Sequence, residues 1–518
     1  MHDVTIVGAG PVGLFLACEL GLAGCSVLVL ERDPEPRSPW KAAPLGMRGL
    51  SAASAEAFYR RGMLPSLLKT AGEYGASGAG PGPDRATNPG TASAEDEPSP
   101  PRGVGHFAGM VLDPAKVDLT ALPFRFPGPA ADGVLTDLEA VEAVLSERAA
   151  RLGVEIRRGV TVSAVAQDDE KAVAYADGLA YAARWLVGCD GGRSAVRGPA
   201  GFTFAGTEPL FTGYVMLATV TGPDELAPGI NLTPTGMYLR MPAQGYLGMM
   251  DFDGGAFDRS QRPSLDHLQT VLRRVSGTGV TLSDVRRVSH FTDRAMQTTT
   301  YRHGRVLLAG DAAHIHSPVG GQGLNLGLGD AMNLGWKLAA TVHGYAPEGL
   351  LDTYTRERHP IGAGVLDWTR AQAAVMRPVP HGQAIQSVMR DLLGTRDGTT
   401  HVFEKVSGSS IRYDLGDGHP LTGRSAPDLQ LEDGRRLGEL LRDGRGLALD
   451  LTADRRLPDV ATSRPDRLRH TAGTAKNDLG LGAVLVRPDG FVAWAGGRDF
   501  DPRTFGRAAD QWFGASAS

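Results

Sequence analysis

The sequence is poor in cysteine. Its 518 residues include only three, Cys18, Cys25 and Cys189, and none is in a CxxC spacing. Disulfide frameworks and structural zinc sites need more cysteines at closer spacing, so we expect neither, and the pattern is typical of a reducing compartment. The sequence also lacks a run of about eighteen apolar residues and a basic, cleavable leader, which argues against a transmembrane helix and against secretion. These absences predict a cytoplasmic protein without membrane contact.

An excess of positive charge is missing as well. The 53 Lys and Arg residues are outnumbered by 58 Asp and Glu residues, giving a net charge of −5. There is therefore no electrostatic reason to expect a nucleic-acid partner. The content of 42% hydrophobic and 21% charged residues is that of an ordinary globular protein. The chain is too long for one core, so we expect two or three domains.

The segment 3–31 predicts a β-α-β unit. A buried strand, the turn GAGPVG, a helix and a second strand ending at Glu31 follow one another. Gly8, Gly10 and Gly13 suit a tight turn, the close approach of a pyrophosphate and close helix–strand packing. Glu31 follows Gly13 by eighteen residues and is placed to accept ribose hydroxyls, which favours FAD or NAD over NADP. The predicted contacts with this half of the cofactor are Gly8, Gly10, Pro11, Val12, Gly13, Glu31 and Arg32.

A second glycine-rich segment, residues 304–338, predicts the other half of the site. An apolar strand ends at Gly310-Asp311, a Pro- and Gly-rich loop follows, and a long apolar helix begins near Leu324. The N–H groups at the start of such a helix favour negative charge, which a reduced flavin carries at its N1–C2=O edge. Further cofactor contacts are expected from Gly310, Asp311, Leu324 and Asn325. The predicted cradle of the flavin ring is Pro318, Gly320, Gly321, Gln322 and Gly323.

A third motif, GCDGGRSAVR at residues 188–197, ends a strand on an acid and glycines. Ligands bind at such strand ends in open α/β sheets, so Asp190 and Gly191 are predicted cofactor contacts. A local Asx turn is the alternative role for Asp190.

The three motifs, in this order, resemble those of the class A flavoprotein monooxygenases, the group of para-hydroxybenzoate hydroxylase, phenol hydroxylase and the aromatic-polyketide hydroxylases. The match is most specific at residues 304–338, including DAMNLGWKL. The resemblance implies an α/β fold with a Rossmann-like FAD-binding domain and with FAD bound noncovalently. It also implies reduction by NADPH or NADH, which visits transiently, and a flavin C4a-hydroperoxide, formed with O2, that hydroxylates an electron-rich ring.

The resemblance extends to a basic residue that reaches the cofactor diphosphate in front of a helix within residues 40–64. Arg48 is the candidate here and Lys41 a weaker one, and a solvated arginine is the alternative. The resemblance also implies a division into domains. The FAD-binding domain is discontinuous and consists of residues 1–71, 106–200 and 289–400. Residues 72–105 are a flexible insertion rich in Gly and Pro, residues 201–288 an antiparallel substrate-binding sheet, and residues 405–518 a C-terminal thioredoxin-like domain.

The expected substrate is a polycyclic aromatic polyketide, since the resemblance is greatest to hydroxylases of such compounds. Each residue predicted to line its pocket has ordinary core packing as the alternative: Phe211, Tyr214, Met216, Met237, Tyr238, Arg240, Met249 and Met250. The C-terminal domain has no cysteine, so it has no dithiol role, and we expect it to serve packing or self-association as a homodimer.

Several functional alternatives stay open. A Baeyer–Villiger or ring-opening monooxygenase would use the same flavin chemistry, and a non-catalytic flavin- or ligand-binding protein would keep the fold without turnover. No general base is assigned. His314 and His316 lack a carboxylate in ligand spacing, so no metal site is predicted, and His314 is expected to brace the Gly310 loop.

Overall fold

In the computed structural model the described residues are 1–76, 105–222, 226–258, 260–416, 418–457, 464–477 and 479–514, without the side chains of 72–76. The insertion predicted at 72–105 falls almost entirely on residues 77–104, which lie outside the described residues. Only its first five residues, which end a helix, and its last residue are described.

Strands and helices alternate over the first part of the chain. The parallel pairing of its first two strands, joined by a helix, confirms the β-α-β unit predicted at residues 3–31. The elements are β1 (His2–Val7), α1 (Pro11–Leu22), β2 (Val27–Glu31), β3 (Met47–Leu50), α2 (Ala52–Arg60), α3 (Leu64–Ala76), β4 (His106–Phe107), β5 (Met110–Val111), β6 (Val134–Asp137), α4 (Leu138–Arg151), β7 (Glu155–Arg158), β8 (Val162–Gln167), β9 (Ala172–Ala176) and β10 (Leu179–Gly188).

The middle of the chain adds strands and then four helices. Its elements are β11 (Phe204–Thr207), β12 (Thr212–Thr221), β13 (Gly229–Thr233), β14 (Gly236–Met241), β15 (Tyr246–Asp251), α5 (Leu265–Ser276), β16 (Thr281–Thr292), β17 (Ala295–Thr298), β18 (Arg302–His303), β19 (Val306–Leu308), β20 (His314–Ile315), α6 (Gln322–Val342), α7 (Thr353–Met376), α8 (Pro380–Leu393) and α9 (Arg396–Ser407).

A mainly parallel sheet organises the FAD-binding domain. Its strand order is β18-β19-β10-β1-β2-β7, in which β1, β2, β7, β10 and β19 run parallel. Except for β7, these strands are largely apolar because helices, among them α1, α4 and α6, cover the sheet. The carboxyl ends of β1, β10 and β19 lie side by side, so all three glycine motifs meet at one edge of the sheet.

The predicted antiparallel sheet is present, with strand order β13-β14-β15-β12-β16. One feature of this region differs from the prediction, which expected strands alone. Leu265–Ser276 forms α5, which is capped by the Ser264 side chain and ends at Gly277 with a left-handed backbone. Its buried residues Leu268, Val271 and Leu272 pack on one face of the sheet, so only the other face is turned toward the FAD-binding domain.

The C-terminal part forms a four-stranded sheet flanked by helices. Its elements are α10 (Leu437–Leu440), β21 (Gly446–Asp450), β22 (Leu468–Ala472), β23 (Leu481–Val486), β24 (Val492–Gly497) and α11 (Pro502–Phe513). The strand order is β22-β21-β23-β24, with β21 and β22 parallel, β23 antiparallel to β21, and β24 antiparallel to β23. This is the order of a thioredoxin-like sheet, as predicted.

Candidate active site

The turn between β1 and α1 contains two glycines that pack and one that faces open space. A Cβ added at Gly8, whose φ is +106°, would lie 2.4 Å from the carbonyl oxygen of Cys189, and one at Gly13 would lie 2.0 Å from that of Gly8. At Gly10 an added Cβ would meet no described atom within 4 Å. The N-terminus of α1 therefore borders an open space that suits an anionic group such as a pyrophosphate.

Glu31, at the end of β2, holds the same turn in place. Its carboxylate accepts hydrogen bonds from the backbone N–H groups of Ala9 at 2.6 Å and of Asp33 at 2.8 Å. The neighbouring Arg32 is exposed and pairs with Asp33 at 3.4 Å. Glu31 is thus next to the Gly10 turn, and its contact with a ribose, like that of Arg32 with the cofactor, stays a prediction.

Pro11 and Val12 begin α1, and Val12 connects this turn with the Gly310 loop. A Cβ added at Gly310 would lie 3.1 Å from a methyl group of Val12. One added at Gly327 of α6 would lie 2.6 Å from the same methyl group. The two predicted halves of the cofactor site are therefore in contact with each other.

The Gly310-Asp311 motif forms a tight turn after β19. Gly310 has a φ of +63° and donates its N–H to the Asp330 carboxylate of α6 at 3.0 Å. The same carboxylate oxygen lies 2.6 Å from Nε2 of buried His314, which confirms that His314 braces the loop. Asp311 is exposed, and one of its carboxylate oxygens lies 3.8 Å from the position of a Cβ at Gly323.

The predicted flavin cradle leads directly into α6. Gly320 and Gly321 have φ values of +87° and +63°, and a Cβ at Gly321 would meet no described atom within 4 Å. Since α6 begins at Gln322, the N–H groups of Gln322, Gly323 and Leu324 have no partner within the helix. Together with the helix dipole, they favour an anionic ligand at this end.

Asn325 fastens the cradle to the strand that carries Arg48. Its amide oxygen accepts the N–H of Ser51 at 2.8 Å, and its amide nitrogen donates to the carbonyl oxygens of Gly49 at 3.0 Å and Gly321 at 2.9 Å. Pro318 accepts the N–H of Gly321 at 3.1 Å. The Asn325 side chain thus fixes the shape of the loop, whereas its predicted role was a direct cofactor contact.

Three buried polar atoms around the cradle have no hydrogen-bond partner among the described residues. They are Nε2 of His316, Oγ of Ser317 and Nε2 of Gln372. The His316 nitrogen lies 3.2 Å from the position of a Cβ at Gly323, and the Gln372 nitrogen lies 3.1 Å from that at Gly320. Buried polar groups nearly always have partners. These atoms and the open space at Gly10 therefore fit a cofactor such as FAD.

Asp190 caps its own turn. Its carboxylate accepts hydrogen bonds from the Ser194 hydroxyl at 2.6 Å and from backbone N–H groups of the same turn. This is the local role that the sequence left open as the alternative. Gly191, with a φ of +79°, faces open space among the described atoms. Arg197 donates to the carbonyl oxygen of Ala312 at 3.0 Å and so holds this turn against the Gly310 loop.

Arg48 lies on β3, where its guanidinium donates to two nearby carbonyl oxygens at 2.7 and 3.3 Å. The surrounding protein lowers the pKa of Arg48, and Tyr246 and Asp311 partly offset this effect. Arg48 is therefore placed between the Gly310 loop and the antiparallel sheet, and its contact with a diphosphate stays a prediction. Lys41, the weaker candidate, forms a salt bridge with Glu142 at 2.7 Å.

Alternation along the antiparallel strands divides the predicted substrate residues between two faces. Four of them are buried in the core under α5: Tyr214, Met216, Tyr238 and Met249. Arg240 lies on that face as well and donates to the carbonyl oxygen of Leu226. These five residues therefore have the core packing that the sequence left open as the alternative, and their contact with a substrate stays a prediction. A period of two shows that a strand has two faces, but it does not show which face meets a ligand.

Phe211 and Met237 lie on the opposite face, in an apolar cluster that includes Phe107 and Val319 of the cradle loop. Met250, which was also predicted, is a partly exposed member of this cluster. Sequence analysis missed other partly exposed members, among them Phe252, Phe291 and Trp368. It also missed Tyr246 of β15. Tyr246 and Met250 are four strand positions apart, so their side chains lie on the same face of the sheet. The signal for Tyr246, Phe252 and Phe291 was their alternation with the helix-facing set, whereas Trp368 lies in α7 and gave no such signal.

Comparison with known proteins agrees with this arrangement. Residues 1–369 match the FAD binding domain family, and residues 419–516 match the aromatic-ring hydroxylase C-terminal family. A protein named as a monooxygenase from Claviceps purpurea strain 20.1 is 43% identical over 98% of this chain and 97% of its own. A rifampicin monooxygenase from Streptomyces venezuelae is 40% identical over 100% of both chains.

A solved structure extends the likeness to three dimensions. The OxyS anhydrotetracycline hydroxylase from Streptomyces rimosus is 34% identical, with 100% of both chains covered and a TM-score of 0.82. Within the described residues, no helix is long and apolar enough to cross a membrane, and no group of three or more His, Cys, Asp or Glu side chains is arranged to hold a metal ion.

The two family matches and the similarity to named monooxygenases show that the chain belongs to the FAD-binding aromatic-ring hydroxylases and is an FAD-dependent monooxygenase.

Proposed function

We propose that this monooxygenase hydroxylates a polycyclic aromatic polyketide, with O2 as the oxygen source and NADPH or NADH as the transient reductant. The observation that carries the proposal is the position of the cradle loop. Residues 316–323, with their unpartnered polar atoms, adjoin the apolar face of the antiparallel sheet through Val319. A flavin ring held by this loop and an aromatic ring lying on that face would be neighbours.

The cofactor would be held at two ends by elements that touch each other. The turn at Gly10 suits the pyrophosphate, and the N–H groups at the start of α6 suit the electron-rich edge of the flavin. When it is bound and reduced, FAD supplies the activation of O2. The chain contributes orientation, the positive end of α6 and an apolar surface that excludes water.

The substrate surface combines flat apolar groups with two polar ones. Met237, Met250 and Phe291 offer thioethers and an aromatic ring, which suit a large flat ligand. Burial raises the pKa of Tyr246, so its phenol stays protonated and able to donate a hydrogen bond. Arg48 of β3 interacts with it electrostatically. Together they suit the carbonyl or phenolate oxygens of a hydroxylated polycycle, and rifampicin and anhydrotetracycline, for which two relatives are named, carry such oxygens.

The test is oxidation of NADPH and of NADH by the purified flavoprotein, with and without a panel of polycyclic phenols and quinones, under 18O2. We expect one or more panel members to stimulate oxidation and to gain one labelled oxygen atom. Flavin-free protein and anaerobic reactions are the controls. If FAD binds but no panel member gains oxygen, the hydroxylase proposal fails for this substrate class and a non-catalytic ligand-binding role is favoured.

A Baeyer–Villiger or ring-opening reaction is the alternative, since it would give the same gain in mass. NMR of the isolated product separates the two reactions. A new phenolic or alcoholic carbon supports hydroxylation, whereas a new ester or lactone carbon supports Baeyer–Villiger insertion.

A further inference from the structure

A chain of buried charged side chains connects the C-terminal domain with the cofactor site. It starts at the β23–β24 hairpin, where Arg487 is fully buried. The two terminal nitrogens of Arg487 donate to the two carboxylate oxygens of Glu357 in α7, each at 2.8 Å. Asp489, from the same hairpin, also pairs with Arg487. The sequence RPDG at residues 487–490 is typical of a hairpin turn, but it does not indicate that its arginine enters the other domain.

The next residue of α7 continues the chain toward the cofactor loop. Arg358 donates from Nε to one carboxylate oxygen of Asp330 at 2.8 Å. The other oxygen of Asp330 holds the Gly310 N–H at 3.0 Å and His314 at 2.6 Å. Arg358, Asp330 and His314 are all at most 1% exposed. Consecutive residues of one helix therefore bind the C-terminal hairpin on one side and the Gly310 loop on the other.

Each charged side chain around Glu357 has a partner of opposite charge. Glu357 also accepts hydrogen bonds from Lys337 at 2.8 Å and from Asn333 at 2.7 Å, both in α6. The Arg487 guanidinium lies 4.6 Å from the ring centre of Trp512. Two basic side chains, Arg487 and Lys337, thus face two acidic ones, Glu357 and Asp489. Burial lowers the pKa of Lys337 to about 7, although Glu357 partly offsets this effect. A buried ionic network of this kind is weak evidence for stability but specifies one arrangement of its elements.

The polar residues of the segment DAMNLGWKL make these contacts. Asp330 binds the Gly310 loop, and Asn333 and Lys337 bind Glu357. The intervening tryptophan, Trp336, packs near Trp512 and Arg487 of the C-terminal domain. This segment is therefore explained by docking and loop support, not by direct contact with a ligand.

We propose that Arg487 is a positioning residue for FAD, acting through Glu357, Arg358 and Asp330 on the Gly310–His314 loop. The C-terminal domain thereby takes part in building the cofactor site. The inference rests on FAD binding and is independent of the proposed substrate.

Arg61 provides a matched control. It is also a buried arginine that docks the C-terminal domain, and it donates to both carboxylate oxygens of Glu19 at 2.7 Å. Its interdomain hydrogen bonds reach the carbonyl oxygens of Leu441 at 2.9 Å and Pro488 at 2.7 Å. These hydrogen bonds bypass α7 and the Gly310 loop. Loss of either arginine weakens domain docking, but only Arg487 is hydrogen-bonded to α7, whose Arg358 holds the Asp330 carboxylate that binds the Gly310 loop. Glu19, in contrast, lies in the second half of α1, away from the Gly10 turn.

The experiment compares full-length wild-type, Arg487→Lys and Arg61→Lys proteins, each stripped of flavin and titrated with FAD by flavin fluorescence. Melting temperatures are measured with and without FAD. Lysine keeps the charge but cannot make the paired hydrogen bonds. We expect both variants to melt at lower temperature without FAD. Arg487→Lys should raise the Kd for FAD about tenfold, while Arg61→Lys should leave it within about twofold, in the range seen for coupling networks.

If Arg487→Lys does not fold, Tyr413→Phe keeps the proposal testable. The Tyr413 hydroxyl lies 3.2 Å from the Arg358 guanidinium, and we expect its loss to raise the Kd for FAD about threefold. An unchanged Kd in every folded Arg487 and Tyr413 variant would overturn the proposal and leave the network as a domain staple. Tight FAD binding without oxygen transfer would instead contradict only the proposed function.

Discussion

Two glycines of the fingerprint turn are three residues apart and serve different purposes. Gly10 has an ordinary φ of −74° and open space around it, so Gly10→Ala should change the unfolding free energy of the flavin-free protein by less than about 0.5 kcal/mol. The added methyl group would occupy the pyrophosphate space and weaken FAD binding at least tenfold. Calorimetric FAD titration and urea unfolding of the flavin-free protein measure both effects.

Gly13→Ala is the contrasting variant. Its Cβ would lie 2.0 Å from the carbonyl oxygen of Gly8, so the turn has to move, at an expected cost of about 2 kcal/mol or more. Equal losses of stability for Gly10→Ala and Gly13→Ala would contradict this division of roles.

His316 predicts a pH dependence of stability. Burial lowers the pKa of His316 in the folded protein. In the unfolded chain this histidine has a pKa of about 6.5, so it takes up a proton at a pH at which the folded protein keeps it neutral. Below that pH the unfolded state binds more protons than the folded state, and stability falls as the pH falls toward the folded pKa. Urea midpoints at pH 7 and pH 5 should differ more for the wild-type flavin-free protein than for His316→Gln. An equal pH effect in both proteins would disprove the assignment.

At the scale of elements, adjacent methionines of β15 test which face of the sheet meets the substrate. Met249 is buried under α5, so Met249→Ala should destabilise the protein by about 2–5 kcal/mol and leave the KM for the aromatic substrate nearly unchanged. Met250, on the other face, is partly exposed. Met250→Ala should raise the KM severalfold with a smaller loss of stability. The reverse pattern would show that the substrate lies on the α5 side.

The element order of the FAD-binding domain was predictable because its signals are local. Apolar runs that end on Gly-rich turns at residues 8, 190 and 310 predict strand ends, and parallel strands bring those ends together. The helix α5 was missed although Ser264 and the amphipathic spacing of Leu268, Val271 and Leu272 signal it. The helix was not predicted because the whole region was assigned to strands.

The site was predictable where backbone geometry makes it and not where distant side chains do. The glycines of the cradle reveal themselves because few other residues adopt their φ values. Gln372 and Tyr246 gave no such signal, since each acquires its place only when separate elements pack. Arg487 illustrates the limit: its turn is local, but its partner Glu357 is 130 residues away.

At the scale of the whole molecule, buried arginine side chains cross the interface between the two domains. Arg60 donates to the carbonyl oxygen of Ala426 at 2.8 Å, Arg61 to that of Pro488 at 2.7 Å, and Arg487 to Glu357. Each of these arginines is at most 5% exposed. If either domain unfolded alone, it would leave buried charges without partners in the other, at a cost of about 3–5 kcal/mol for a broken pair.

The two domains should therefore unfold together. We expect differential scanning calorimetry of the full-length protein to give one transition, with a calorimetric enthalpy equal to the van't Hoff enthalpy. Arg487→Lys should weaken the coupling by removing the paired hydrogen bonds to Glu357, and we expect its transition to broaden or divide, while a surface control such as Arg503→Lys keeps a single one. Arg503 suits this control because its guanidinium is 87% exposed. Two separate transitions in the wild-type protein would mean that the buried charges tolerate separation, and the C-terminal domain would then be an independent appendage with no part in the cofactor site.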